Sequence, residues 1–154
     1  MEFISIISKI DSSASVVSGT TPQTIVVSPD KLSDVCLQLH QTPGTYFDQL
    51  SCVTGIDNGP EAKTMEVIYH LYSIPYNFSL AIKVILPRAN PVVPTLSSIW
   101  KSANWLERET YDMYGIIFEN HPDLRRILMP ADWDGYPLRK DYSEQEKYRE
   151  IQVK

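Results

Sequence analysis

The 154-residue sequence is poor in cysteine, histidine and glycine, with two, three and six of each, and it holds more acid than base. Each shortage closes a route. Two thiols, Cys36 and Cys52, build neither a disulfide framework nor a metal knuckle. An iron–sulfur cluster asks for more thiolates than this chain carries. The pair reads as structural thiols in a reducing compartment. With 14 Lys and Arg against 19 Asp and Glu, the net charge is −5. That leaves no basic face for a nucleic-acid backbone or for anionic lipid. No stretch approaches the roughly 18 apolar residues of a membrane span. The longest, LAIKVIL over Leu80–Leu86, is strand-length and carries Lys83. The opening MEFISIISKID has no basic run before it and no small-residue cleavage site after it, so the chain reads as soluble and cytoplasmic. Gly55 and Gly59, in TGIDNGP, are too few for a phosphate loop.

What is present is a globular composition, 43% hydrophobic and 21% charged, at a length that fits one domain. Ile4, Ile6, Ile7 and Ile10 predict a short amphipathic helix, and SSASVVSGTTPQ after it reads as a loop. The β-branched run Thr24–Val27 predicts a strand. Ser28, Pro29 and Asp30 suit a helix start, with serine as the cap. Leu32, Val35, Cys36 and Leu39 then recur at helical spacing until Pro43-Gly44. Tyr46–Asp57 reads as a turn and a strand, closed by Asp57-Asn58-Gly59-Pro60. Thr64–Tyr72 and Phe78–Leu86 both alternate. Met65, Val67, Tyr69 and Leu71 face one way, as do Phe78, Leu80, Ile82, Val84 and Leu86. The short link Ile74–Asn77 makes the two strands an antiparallel hairpin with one apolar face. Thr95 is placed to cap a helix over Leu96–Tyr114. Its core stripe would be Ile99, Ala103, Leu106, Thr110 and Met113, and Gly115 would end it.

These elements predict an α+β fold, with four or five strands and helices on one face. The expected division is an N-terminal segment over residues 1–23, a core domain over 24–115 and an extended arm over 116–154. The arm is too irregular to be a core of its own and must bury its apolar groups against something else.

One stretch is dense in chemistry: ERETYDMYGIIFENHPDLRRIL, Glu107 to Leu128. Glu107, Arg108 and Glu109 point about 100° apart on a helix and cannot share a site. Arg108 with Asp112, and Glu107 with Tyr111, lie one turn apart and are placed to pair. Glu109 and Asp112 have the spacing of two converging carboxylates, but nothing around them suggests a pocket. His121, with Asp112 and Asp123, would make a poor metal site, since no second histidine is near. His121-Pro122-Asp123 also spells the tripeptide of J-domain co-chaperones, without their basic helix. No G-x-S-x-G elbow is present. A solvated charged helix face accounts for the charges, but not for Trp100, Trp105, Tyr111 and Tyr114 beside them. Aromatics among charges are what protein interfaces carry.

Glu107-Arg108-Glu109, Asp112-Met113, Gly115, His121 to Leu128, Trp133, Gly135 and Pro137 to Asp141 resemble the signature of the 30 kDa subunit of respiratory complex I. Weaker similarity reaches upstream through LSCVTGID, EVIYHLYS and PVVPTLSSIW. Tyr114 stands where Phe or Leu is common, and Tyr136 where His is common. The resemblance implies a two-layer α/β sandwich with a mixed, largely antiparallel sheet and an irregular C-terminal extension. It implies a non-catalytic subunit of the peripheral arm of NADH:quinone oxidoreductase, on the cytoplasmic side of the bacterial inner membrane. The chain would hold no cofactor, while the complex uses NADH, FMN, iron–sulfur clusters and quinone. Its implied partners are the hydrogenase-large-subunit homologue and other peripheral-arm subunits. The residues expected to meet partners are Glu107, Arg108, Glu109, Asp112, His121, Pro122, Asp123, Arg125, Arg126, Trp133, Pro137, Leu138, Arg139 and Lys140. The same module serves membrane-bound hydrogenases and ferredoxin- or F420-linked complexes, the nearest alternative. A free-standing hydrolase using Glu109, Asp112 and His121 is the reading from another class.

Overall fold

The computed structural model describes residues 2–153. Its centre is the hairpin of β4 (Thr64–Ser73) and β5 (Phe78–Pro87), in register from Thr64↔Pro87 to Ser73↔Phe78. Alternation decides which side chains turn inward: Met65, Val67, Tyr69 and Leu71 from β4, and Leu80, Ile82, Val84 and Leu86 from β5, are all buried. β3 (Gln49–Asp57) runs antiparallel beside β4, with a bulge between Leu50 and Cys52. β2 (Gln23–Val26) lies parallel to β5, and β1 (Ser15–Val17) pairs antiparallel with β2. The sheet order is β1-β2-β5-β4-β3, so it is mixed and largely antiparallel, in an α+β fold as the sequence pattern predicts.

Helices supply the second layer. α1 (Glu2–Ile10) sends Ile7 into the core. A 3₁₀ turn over Pro29–Lys31 leads into α2 (Leu32–Gln41), whose Leu32, Val35, Cys36 and Leu39 are fully buried. β6 (Val92–Pro94) and β7 (Ile117–Glu119) form a short parallel pair flanking α3 (Ala103–Tyr114). Ile116 and Phe118 join the core, so it draws on residues before position 24 and beyond 115. α3 lies across β3 because Gly55 gives it room. A Cβ there would sit 2.6 Å from a ring carbon of Tyr114 and 3.0 Å from the Thr110 methyl. The helix ends at Gly115 in the left-handed region, φ 74°, where its N–H bonds the Tyr111 carbonyl.

Four expectations need correction. The Ser/Thr-rich stretch after α1 is not all loop, because β1 pairs there. Ser28 does not cap a helix with its side chain. Its N–H donates to Asp11 Oδ2 at 2.8 Å, and its hydroxyl bonds that of Ser13. The third helix begins at Ala103, not Leu96. Glu107 takes the Leu96 N–H, and Trp100 donates its indole N–H to the Phe47 carbonyl, so tertiary bonds hold residues 96–100 in turns. Finally, its buried side includes Glu107, Arg108 and Asp112, whereas Met113 is half-buried. The apolar stripe alone does not describe it.

Gly55→Ala is expected to cost about 1–3 kcal/mol through overpacking, read as a lower midpoint in urea. In a Tyr114→Leu background, where the clashing ring is gone, the penalty should shrink. An equal penalty in both backgrounds would locate the strain elsewhere.

Candidate functional site: the clasp between core and arm

Several of the side chains that sequence reading singled out share one task, which is binding the C-terminal arm to the core. Positions 105, 108 and 112 of α3 are spaced by three and four, so they share one face of the helix. The arm runs along that face. Asp112 is fully buried. Its Oδ2 accepts three consecutive backbone N–H groups, from Ile127 at 3.0 Å, Leu128 at 2.7 Å and Met129 at 2.9 Å. Its Oδ1 accepts from Arg126 Nη1 at 2.9 Å. Arg126 continues outward, donating to the Gly135 carbonyl at 2.8 Å with its guanidinium over the Tyr136 ring. One turn back, Arg108 donates to the carbonyls of Arg125 and Arg126 and lies over the Trp105 ring. The pairing expected between Arg108 and Asp112 is therefore absent. Each reaches instead to the arm, because an irregular strand offers both carbonyls and N–H groups that need partners.

His121 fixes the arm's entry, with Glu107 buried beside it. His121 Nδ1 accepts the Asp123 N–H at 3.0 Å, which leaves Nε2 to donate to the Asn104 carbonyl at 3.0 Å. Glu107 is wholly buried and does not pair with Tyr111. It accepts from the Thr95 hydroxyl and from the Leu96 N–H at 2.7 Å, and its Oε2 stands 3.9 Å from His121 Nε2. Burial pushes the Glu107 carboxyl up to about 7, against the pull of those two hydrogen bonds. The buried Cys36 thiol is also pushed up, first by burial and then by the Glu107 charge.

A second clasp was invisible in the sequence. Asp57, at the end of β3, accepts Arg88 Nε at 2.8 Å, Arg88 Nη2 at 2.9 Å, the Gly59 N–H and the Lys140 N–H at 2.8 Å. Arg88 also reaches Asp141 at 2.7 Å. The Arg88 guanidinium, with these N–H groups, holds the Asp57 carboxyl well below the usual carboxylate range. Asp112 lies low too. Desolvation would raise it, but the N–H groups of Met129, Leu128 and Ile127 and the Arg126 guanidinium outweigh that. Asp57 and its arm partner are 83 residues apart and Arg88 is 31 away, so no local pattern could have paired them. The last residues fold back on the arm itself. Asp132 bonds Tyr148 and Arg149, Trp133 bonds the Tyr142 hydroxyl, and β8 (Lys147–Tyr148) pairs with β9 (Ile151–Gln152).

The fourteen residues expected at a partner surface thus fall into groups. Glu107, Arg108, Asp112 and His121 have their side chains inside the chain. Arg126 and Arg139 are half-buried in the clasp, Trp133 and Pro137 are half-buried along the arm, and Glu109, Pro122, Asp123, Arg125, Leu138 and Lys140 face outward. Glu109, Asp112 and His121, the trio of the hydrolase reading, do not converge. Glu109 is exposed, both oxygens of Asp112 are taken, and His121 bonds the backbone at Asn104 and Asp123. Among the described residues, no group of three or more His, Cys, Asp and Glu side chains could hold a metal ion. None of the described helices is long and apolar enough to cross a membrane.

By fold, the chain falls in the class of α+β domains represented by Nqo5. It matches the solved trypsin-resistant fragment of Nqo5 at a TM-score of 0.65 and 26% identity, over 80% of this chain and 100% of that one. The same fold recurs, at TM-score 0.76 and 22% identity over 92% of this chain and 84% of the other, in the membrane-bound sulfane sulfur reductase, an archaeal respiratory membrane complex. The sequence makes the membership specific: the chain belongs to the respiratory-chain NADH dehydrogenase 30 Kd subunit family, whose model matches residues 25–148. It is 40% identical to an NADH-quinone oxidoreductase subunit of Chlorobium phaeobacteroides over 87% of this chain and 81% of that protein. It is 45% identical to the like-named subunit of Geobacter sulfurreducens over 82% of this chain and 78% of that one. Against the like-named protein of Chloroherpeton thalassium the identity is 48% over 70% of this chain, but the match spans only 44% of that longer relative.

Asp112→Ala leaves three backbone N–H groups and Arg126 without their acceptor, and breaking a buried pair of this kind costs about 3–5 kcal/mol. Amide exchange should show Ile127, Leu128 and Met129 losing protection while β4 and β5 keep theirs. Uniform loss across the sheet would mean that arm and core unfold as one unit. Glu107 makes a second prediction. Its folded carboxyl holds a proton more tightly than the unfolded value of 4.5, so stability should decline as pH rises from there to about 7. Glu107→Gln should remove that decline in a pH series of urea midpoints. Asp57 and Asp112, held low, act oppositely and give stability that is lost progressively as the pH falls from the ordinary value of 3.8 toward their lowered folded values.

Proposed function

We propose that this chain is a non-catalytic structural subunit of the peripheral arm of a proton-translocating NADH:quinone oxidoreductase. It would help assemble the connecting module through which electrons pass from iron–sulfur clusters to quinone. NADH, FMN, the clusters and quinone would be held by other chains. The immediate partner would be the hydrogenase-large-subunit homologue, on the cytoplasmic side of the bacterial inner membrane. The observation that carries this reading is the division of labour within the clasp. Its inner side chains are used up by partners within the chain, while its outer side leaves Trp105 62%, Leu128 58% and Leu138 52% exposed, with the Arg125 side chain at 73%. Large apolar groups held out beside arginine are what anchor one protein to another. The ring of Trp105 is oriented beforehand by Arg108, which lowers the ordering cost of binding. The relatives' names favour NADH:quinone oxidoreductase over the equivalent subunit of a membrane-bound hydrogenase or of a ferredoxin- or F420-linked complex.

Tagged chain should copurify from native membranes with the large-subunit homologue and the cluster-bearing chains; recovery of a lone monomer would sink the reading. Arg125→Ala separates assembly from folding, because among the described residues that side chain bonds only the exposed Asp123. The isolated variant should melt within about 0.5 kcal/mol of the parent, while yield of the assembled complex falls. If the melting loss matches the loss of assembly, Arg125 belongs to the core's own stability.

A further inference from the structure

Where β5 ends, a cavity of about 350 Å³ opens among Pro60, Lys63, Pro87, Arg88, Ala89 and Arg139. Its walls combine apolar faces from two prolines and an alanine with three cations, and no acid lines it. That is unexpected in a chain with 19 Asp and Glu against 14 Lys and Arg. The three cations are not equivalent. Arg88 is held by Asp57 and Asp141, both of which it meets within 3 Å. Among the described residues the Arg139 side chain has only looser polar contacts, 3.4 Å to Asp141 and 3.5 Å to the Arg88 carbonyl. The Lys63 ammonium makes no ion pair or hydrogen bond among the described residues. Lys63 is nonetheless held in place. Its φ is 55°, an uncommon conformation for a residue with a side chain. Two backbone bonds fix it there, from its N–H to the Gly59 carbonyl and from the Arg88 N–H to its own carbonyl. The nearby acids are Asp57 and Asp141, both already bonded to Arg88, and Glu61, exposed two residues from Lys63 in sequence.

We propose that this cavity receives an acidic segment of a partner subunit, with a carboxylate between Lys63 and Arg139 and a neighbouring apolar side chain against Pro60, Pro87 and Ala89. The inference rests on the assembly reading above and adds to it the partner's chemistry. Charge complementarity selects the occupant: an apolar hollow rimmed by underused cations on an acidic protein fits an Asp or Glu flanked by apolar residues. A planar guanidinium adds a fork that suits a carboxylate. Lys63 lies far upstream of the Glu107–Asp141 signature, and only the fold brings it to the arm.

Zero-length carbodiimide coupling tests this on the assembled complex, because it joins an amine only to a carboxylate in contact with it. Mass spectrometry should find Lys63 linked to an Asp or Glu of another subunit. Lys63 should also react with acetylating reagent at least about tenfold more slowly in the complex than in the isolated chain. In the intact complex, Lys63→Glu should lower assembly about tenfold while leaving the melting curve of the isolated chain unchanged. Links from Lys63 only to carboxylates of its own chain, or equal acetylation in both states, would overturn the proposal while leaving the assembly reading intact. If no complex copurifies at all, the assembly reading falls and this inference falls with it.

Discussion

A single buried carboxylate governs the C-terminal third of this protein. Asp112 has no solvent to stabilise its charge, and an isolated ion in such a place would be very costly. The arm supplies what water would have supplied, namely three backbone N–H groups in succession and one guanidinium. The dependence is mutual. Residues 127–129 lie in neither helix nor strand, so their N–H groups need an acceptor as much as the carboxylate needs donors. Remove either side and the other is left uncompensated. This reciprocity lets a segment without regular secondary structure hold one path across a folded core.

The second clasp repeats the solution at the far end of β3. Asp57 faces inward at a strand end, binds Arg88 in a two-pronged pair and accepts the Lys140 N–H. The arm is thus tied at two points by the same chemistry, and between them it bridges α3 and the hairpin. Both carboxylates are held low by their donors. Glu107 behaves differently, because two hydrogen bonds do not offset its burial. Three acids on one small domain therefore answer pH in opposite senses. All three expose almost no surface, but Glu107 is the most desolvated and meets only two uncharged donors, whereas Asp57 and Asp112 each meet an arginine and at least two backbone N–H groups.

Much of the fold was legible because it is written in local periodicity. The hairpin of β4 and β5, the buried stripe of α2 and the glycine stop of α3 follow from alternation, helical spacing and the one residue that accepts a left-handed conformation. The misreadings share a cause. β1, the missing Ser28 cap and the late start of α3 were all decided by bonds to distant residues. So was the face of α3: its spacing advertises Ala103, Leu106 and Thr110, yet three charged residues are buried beside them because partners outside the helix receive them. Charge in a sequence reads as exposure unless its partner is known, and here the partners of Arg108 and Asp112 lie 14 to 18 residues further along an irregular chain.

The sequence by itself determined the α+β class, the central hairpin and, through Glu107 to Asp141, the family. It did so because strand and helix periods are properties of neighbouring residues, and because a long run of matched positions is specific whatever its geometry. Only the tertiary structure decided which of those positions turn inward. Whether Asp112 or Arg125 faces solvent depends on where a chain without regular structure comes to rest, and that is fixed by bonds made across the fold. The pairing of Asp57 with Lys140, and the gathering of Lys63 with Arg139, belong to the same order of fact: no period connects them, and only the folded sheet brings them within reach.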